Sequence, residues 1–122
     1  MLQHELLPDR GILILKPEAA LRAEDFTALA AAVDPYIEQN GKLHGLMVEA
    51  PSFPGWENFA ALLSHLRFVR DHHRRIARIA VVTDSALLAA GPKIASHFVS
   101  AQLRTFAAAD RAAALAWLES GS

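Results

Sequence analysis

Asp84, Ser85 and His97 are the three residue types of a hydrolytic triad. Their setting argues against that chemistry. Ser85 is followed by Ala86-Leu87, and the strained Gly-x-Ser-x-Gly elbow that exposes a nucleophilic serine is missing. Asp84 is explained as a helix N-cap without catalysis. Gly91-Pro92-Lys93 is not a phosphate loop, because the glycine spacing is wrong and the proline removes an amide donor. His65 and His72 are seven residues apart and His72-His73 are adjacent. Neither is the i, i+4 pair with an intervening carboxylate that zinc hydrolases use, so no metal and no cofactor is expected. Arg67, Arg70 and Arg74 fall on one helical stripe, extended by Arg75 and Arg78. Such a stripe can dock an acidic partner or lipid head groups. It equally serves as a solvated helix end whose cations complement the dipole.

Pro51-Ser52-Phe53-Pro54-Gly55-Trp56 is a stiff elbow with two large aromatics. It joins a strand to a helix, where open α/β sheets bind their ligands. Glu49 and Glu57 flank it and would repel a phosphate, so an apolar or neutral ligand suits Phe53 and Trp56 better. The plainer alternative is a turn with Trp56 packed on the core. Glu49, Ser52, Phe53, Trp56 and Asp84 are the candidate ligand-binding residues, with Glu49 and Asp84 forming the polar rim of one cleft.

These residues must be held by a single domain over 1–122, since 122 residues suffice for one sizeable core. Cysteine is absent, which removes disulfides, thiolate catalysis and cysteine-based zinc sites. The net charge of −1 supplies no general attraction to nucleic acid. No apolar run approaches the roughly 20 residues of a membrane helix, so no membrane insertion is expected. Met1-Leu2-Gln3-His4-Glu5 does not open a secretion signal, and a cytoplasmic location is the expectation.

The elements follow from the periodicity. Residues 2–7 read as a strand, Pro8-Asp9-Arg10-Gly11 as a turn, and Ile12-Leu13-Ile14-Leu15 as an apolar strand, together a β-hairpin. Over 22–40, Phe26, Leu29, Ala30, Val33 and Ile37 mark one face of a helix, with Pro35 inside it and Gly41 after it. Residues 43–48 are the next strand. A helix then starts at Ser52 or Gly55, with Phe59, Leu62, Leu63, Leu66 and Val69 inward. Residues 76–82 are a β-branched apolar strand suited to the middle of a parallel sheet. Asp84 opens a helix that Gly91-Pro92 divides into 85–90 and 93–99. A weaker strand over 101–106 and a helix over 111–119 complete the chain. The order ββαβαβαβα predicts an α/β fold with a mixed, mainly parallel sheet of about five strands and helices packed on it.

This order resembles the STAS domain fold, and within it the SpoIIAA-like, or STAS/SEC14-like, branch. The stretches that carry the resemblance are Gly41-Lys42-Leu43-His44-Gly45-Leu46-Met47-Val48, Phe53-Pro54-Gly55-Trp56, Ile79-Ala80-Val81-Val82-Thr83-Asp84, Arg104-Thr105-Phe106 and Ala116-Trp117-Leu118. Anti-sigma-factor antagonists of this fold carry a phosphorylated serine in an Asp-Ser-Ser-Gly stretch. Here the corresponding place reads Glu49-Ala50-Pro51-Ser52-Phe53-Pro54-Gly55, with Ser52 between prolines, so that switch is not expected. The fold's likeness to CRAL-TRIO lipid-binding domains implies a small apolar ligand as one outcome.

Two functions follow as expectations. The first is a non-enzymatic module acting through a regulatory protein partner or as a homodimer, using the helix over 93–99 and the final helix. The second is a carrier or sensor of a small apolar or amphipathic ligand beside Phe53, Trp56 and Gly91-Pro92.

Overall fold

The structure, a computed structural model, describes residues 2–51, 54–86 and 100–120. Strands β1 (Leu2–Leu7) and β2 (Ile12–Pro17) form the expected antiparallel hairpin. Gly11 closes its turn at φ 68°, a left-handed angle that a residue with a Cβ rarely adopts. Then come α1 (Ala23–Asn40), β3 (Leu43–Glu49), α2 (Phe59–His72), β4 (Ile76–Val82), β5 (Gln102–Phe106) and α3 (Arg111–Ser120). The strands lie in the order β1-β2-β3-β4-β5, parallel from β2 onward. The chain is thus α/β with a mixed, mainly parallel five-stranded sheet. The expected helix division at Gly91-Pro92, the helix over 93–99 and His97 lie outside the described residues.

The run Ile12-Leu13-Ile14-Leu15 is buried throughout because both faces of β2 are covered. Ile12 and Ile14 face one cluster with Met47, Ala80, Val82, Phe106, Ala114 and Leu118. Leu13 and Leu15 face the other with Leu29, Val33, Ile37, Leu43, Leu46 and Ile76. Helix α3 covers the first face; α1 and α2 cover the second. Gly45 is what lets α3 approach, since a Cβ there would stand 2.9 Å from the Leu118 Cβ. Helix α1 continues unbroken through Pro35, and its first turn is closed by Asp25, which accepts from the Arg22 backbone N–H.

Helix α2 departs from expectation in two ways. It begins at Phe59, where the Asn58 side chain accepts from the Ala61 N–H at 2.9 Å, rather than at Ser52 or Gly55. The preceding backbone is already engaged: the Leu21 N–H donates to the Gly55 carbonyl and the Glu57 N–H to the Leu21 carbonyl, a β-bridge that excludes helix. Its inward face is also different. Phe59 is 70% exposed and Leu66 56% exposed, so neither belongs to the core. Ala61, His65, Phe68, Val69 and His72 face α1 and the sheet, so Val69 is inward as expected. The hydrophobic stripe was otherwise the wrong guide because two of these five inward positions are histidines that stack as aromatics. The arginine stripe is likewise not one face. The helix ends at His72, Arg75 donates to the Gly41 carbonyl, and Arg78 lies in β4 and donates to the Trp117 carbonyl.

Candidate functional site

Between the sheet and the α1–α2 pair lies an apolar cavity of about 200 Å³. Its floor is the sheet face carrying Leu15, Leu46, Val48, Ile76, Ile79 and Leu103. Phe26 and Leu29 of α1 and Phe68 and Val69 of α2 form the walls. Three histidines, His65, His72 and His73, are the polar side chains of the lining among the described residues.

Each histidine is fixed differently. His65 stacks on Phe26, with ring centroids 4.9 Å apart and planes 16° apart. Its Nδ1 accepts the Trp56 indole N–H at 3.1 Å. Burial pushes the His65 pKa below the ordinary histidine value, in accord with a neutral ring. His72 stacks on Phe68 at 4.0 Å and is buried. Its Nδ1 lies 2.8 Å from the Phe68 carbonyl oxygen and its Nε2 2.6 Å from Asp34 Oδ1. Both bonds are donated together only when the ring carries two protons, and the Asp34 carboxylate then balances the charge. His72 also borders an open outer groove with Asp34, Asp71 and Arg75, so its ring stands between that groove and the cavity. His73 Nδ1 accepts the Ser100 backbone N–H at 2.9 Å.

The expected site residues are distributed over both sides of the sheet. Trp56 is 39% exposed and belongs to the cavity side through His65. Glu49 belongs to the α3 side, where its carboxylate takes Arg111 Nε at 2.6 Å and Lys16 Nζ at 3.5 Å. Asp84 is exposed, and its Oδ1 accepts the Ala108 N–H at 3.0 Å, tying the end of β4 to the turn before α3. Glu49 and Trp56 therefore do not line one cleft, because successive residues of a strand point to opposite faces and the β3 residue that reaches the cavity end is Val48. Ser52 and Phe53 lie outside the described residues. Sequence reasoning passed over His65 and His72 because it asked only whether they could bind metal. Their i, i+7 spacing, with Phe68 between, was the signal that both share the inward face. Among the described residues no group of three or more His, Cys, Asp or Glu is placed to hold a metal ion. No helix among them is long and apolar enough to cross a membrane.

Comparison with known proteins agrees with this architecture. No curated protein matches the chain. A crystal structure of an uncharacterized DUF3478-family protein with a SpoIIAA-like fold, from Shewanella loihica PV-4, superposes with a TM-score of 0.75. It covers 97% of this chain and 92% of its own, at 19% sequence identity, a likeness of fold. The SpoIIAA-like family model matches residues 12–119, from the first strand of the parallel sheet to the end of α3. The chain therefore belongs to the SpoIIAA-like family.

Proposed function

We propose that this protein is a non-catalytic module that holds a small apolar or amphipathic molecule between α1, α2 and the sheet. The observation that carries the reading is the cavity itself, lined among the described residues by leucine, isoleucine, valine and phenylalanine, with imidazoles for polarity. Sites for small molecules are built this way, apolar walls with a few placed polar groups. An engineered apolar cavity of about 150 Å³ takes up benzene, so about 200 Å³ suits a body of roughly eight heavy atoms. The ligand class matches the second of the two functions expected from sequence, but the site lies deeper in the fold than the elbow.

Native mass spectrometry of freshly purified protein, followed by calorimetric titration with toluene, tests this. The reading expects a retained small molecule or toluene binding in the wild type, and loss of either in Ile79→Phe, which fills the cavity from its floor. A wild type that carries nothing and binds no toluene would contradict it.

Action through a protein contact is supported by a separate feature. Phe59 and Leu66 stand exposed on one side of α2, flanked by the half-buried Leu62 and Leu63. A self-complementary apolar stripe of this kind favours a two-fold pair of copies. Light scattering at about 100 µM, where a micromolar dimer forms, is expected to give twice the chain mass. Leu66→Glu is expected to return it to the monomer value; a wild-type monomer would exclude this arrangement.

A further inference from the structure

Helix α2 carries its residue types in order along its outward face. Phe59, Leu63, Leu66 and Arg70 follow at steps of four, three and four residues, a single stripe of a helix, and Leu62 and Arg67 flank it. Phe59, Leu66, Arg67 and Arg70 are exposed. The charge is separated along the stripe. At its start Glu57 takes Arg22 Nε at 2.8 Å, and Glu24 takes the same nitrogen at 3.6 Å. Two carboxylates and one guanidinium leave one net negative charge in that trio. At its end stand Arg67 and Arg70, with Arg74 just past the helix, and Asp71 binds Arg70 at 2.9 Å. Three guanidiniums and one carboxylate leave two net positive charges in that group. The apolar side chains lie between the two ends.

Two copies can lay this face together in two symmetric ways. With the helices parallel, the two-fold axis runs along them, so arginines meet arginines and Glu57 meets Glu57. With the helices antiparallel, the axis crosses the stripe and each end meets its opposite. An axis midway between Leu62 and Leu63 opposes Phe59 to Leu66 of the second copy and Leu62 to Leu63, so the apolar set matches itself. The same axis brings Glu57 to within about one or two residues of the level of Arg67 in the second copy, ~3 Å along the helix at most. Like charges face each other in the first arrangement and opposite charges in the second, which decides between them. Resting on the pairing of copies read above from Phe59 and Leu66, we propose that α2 meets α2 of a second copy antiparallel, about a two-fold axis between Leu62 and Leu63. Apolar contact holds the pair, and Glu57 facing Arg67 and Arg70 sets its direction.

Sedimentation of two charge-reversed chains, Arg67→Glu and Glu57→Lys, tests this. Both positions are exposed, and far-UV circular dichroism checks that each chain is folded. Each variant alone sets like charges together at two symmetric contacts, so its pair is expected to be at least about fivefold weaker than the wild type's. Mixing the two variants restores opposite charges at both contacts. The mixed pair, read by a dye on one chain, is therefore expected to be tighter than either variant's own. Wild-type pairing is expected to weaken severalfold as salt rises from about 50 to about 500 mM, because screening acts on exposed ion pairs. A pair of unchanged strength in both variants, a mixture that gains nothing, or a wild-type pair indifferent to salt would overturn the antiparallel inference and leave the apolar pairing standing. Variants that each pair more tightly than the wild type overturn it as well. A wild type that stays monomeric overturns the inference and the pairing reading together.

Discussion

The two faces of the sheet are finished differently. On the α3 side the packing under the helix is tight. Leu118 and Ala114 are fully buried against Met47, Ala80 and Val82, and Gly45 gives up its side chain so that Leu118 can approach. Polar groups there serve as staples. Arg78 donates to the Trp117 carbonyl at 2.6 Å with its guanidinium 4.8 Å from the Trp117 ring centroid, and Glu49 takes Arg111 and Lys16. On the α1–α2 side aliphatic side chains line the sheet equally well, yet about 200 Å³ stays unfilled and imidazoles stand where leucines would close it. On the reading proposed above, the α3 face serves stability and the α1–α2 face keeps a space, since protein interiors are normally packed to crystal density.

Core truncation gives the largest expected contrast. Leu118→Ala removes a fully buried side chain from the α3 face and should cost about 2–5 kcal/mol in denaturant unfolding. Overpacking separates the faces more sharply. Gly45→Ala places a Cβ 2.9 Å from the Leu118 Cβ and should cost about 1–3 kcal/mol. Ile79→Phe adds more volume on the cavity face and should change stability by less than about 1 kcal/mol, because there is room. Equal costs for the two would mean that the faces are packed alike.

The smallest effect concerns pH. Burial holds the folded-state pKa of His65 below its unfolded value. The unfolded chain then binds more protons in the window below about 6.5, so this group's contribution to stability is present above that pH and is lost as pH falls toward the folded-state value. Wild-type stability should therefore fall more steeply between pH 7.5 and 5.5 than that of His65→Phe. The difference is expected to be less than about 1.4 kcal/mol per pH unit. Parallel profiles would show that His65 is not held neutral.

The architecture was legible in the sequence because period and burial agree along most of it. Ile12-Leu13-Ile14-Leu15 is apolar on both sides, and Ile76–Val82 is apolar apart from Arg78, as inner strands require. Phe26, Leu29, Val33 and Ile37 each reach the core of α1 as their spacing predicts. The family resemblance carried by these stretches agrees with the family match over 12–119. The site was legible only at its margin. Trp56 was singled out, but its partner His65 was weighed only as a metal ligand. Helix α2 carries more leucine on its exposed side than on its inward side, so a hydrophobic count turns it the wrong way round. What orients it is tertiary: the β-bridge of Leu21 with Trp56 delays its start, and the His65 stack on Phe26 and the His72 contact with Asp34, both on α1, select the histidine face. Glu49 looked like a rim residue because strand-end position was known and strand side was not.

Methyl NMR titration with toluene tests most directly whether the open face is a ligand site. Shifts are predicted at Leu15, Leu46, Val48, Val69 and Ile79, which line the cavity, with Ile12, Ile14, Val82 and Leu118 of the α3 face unmoved. Shifts confined to the α3 face, spread evenly over both, or absent at saturating toluene would contradict the account.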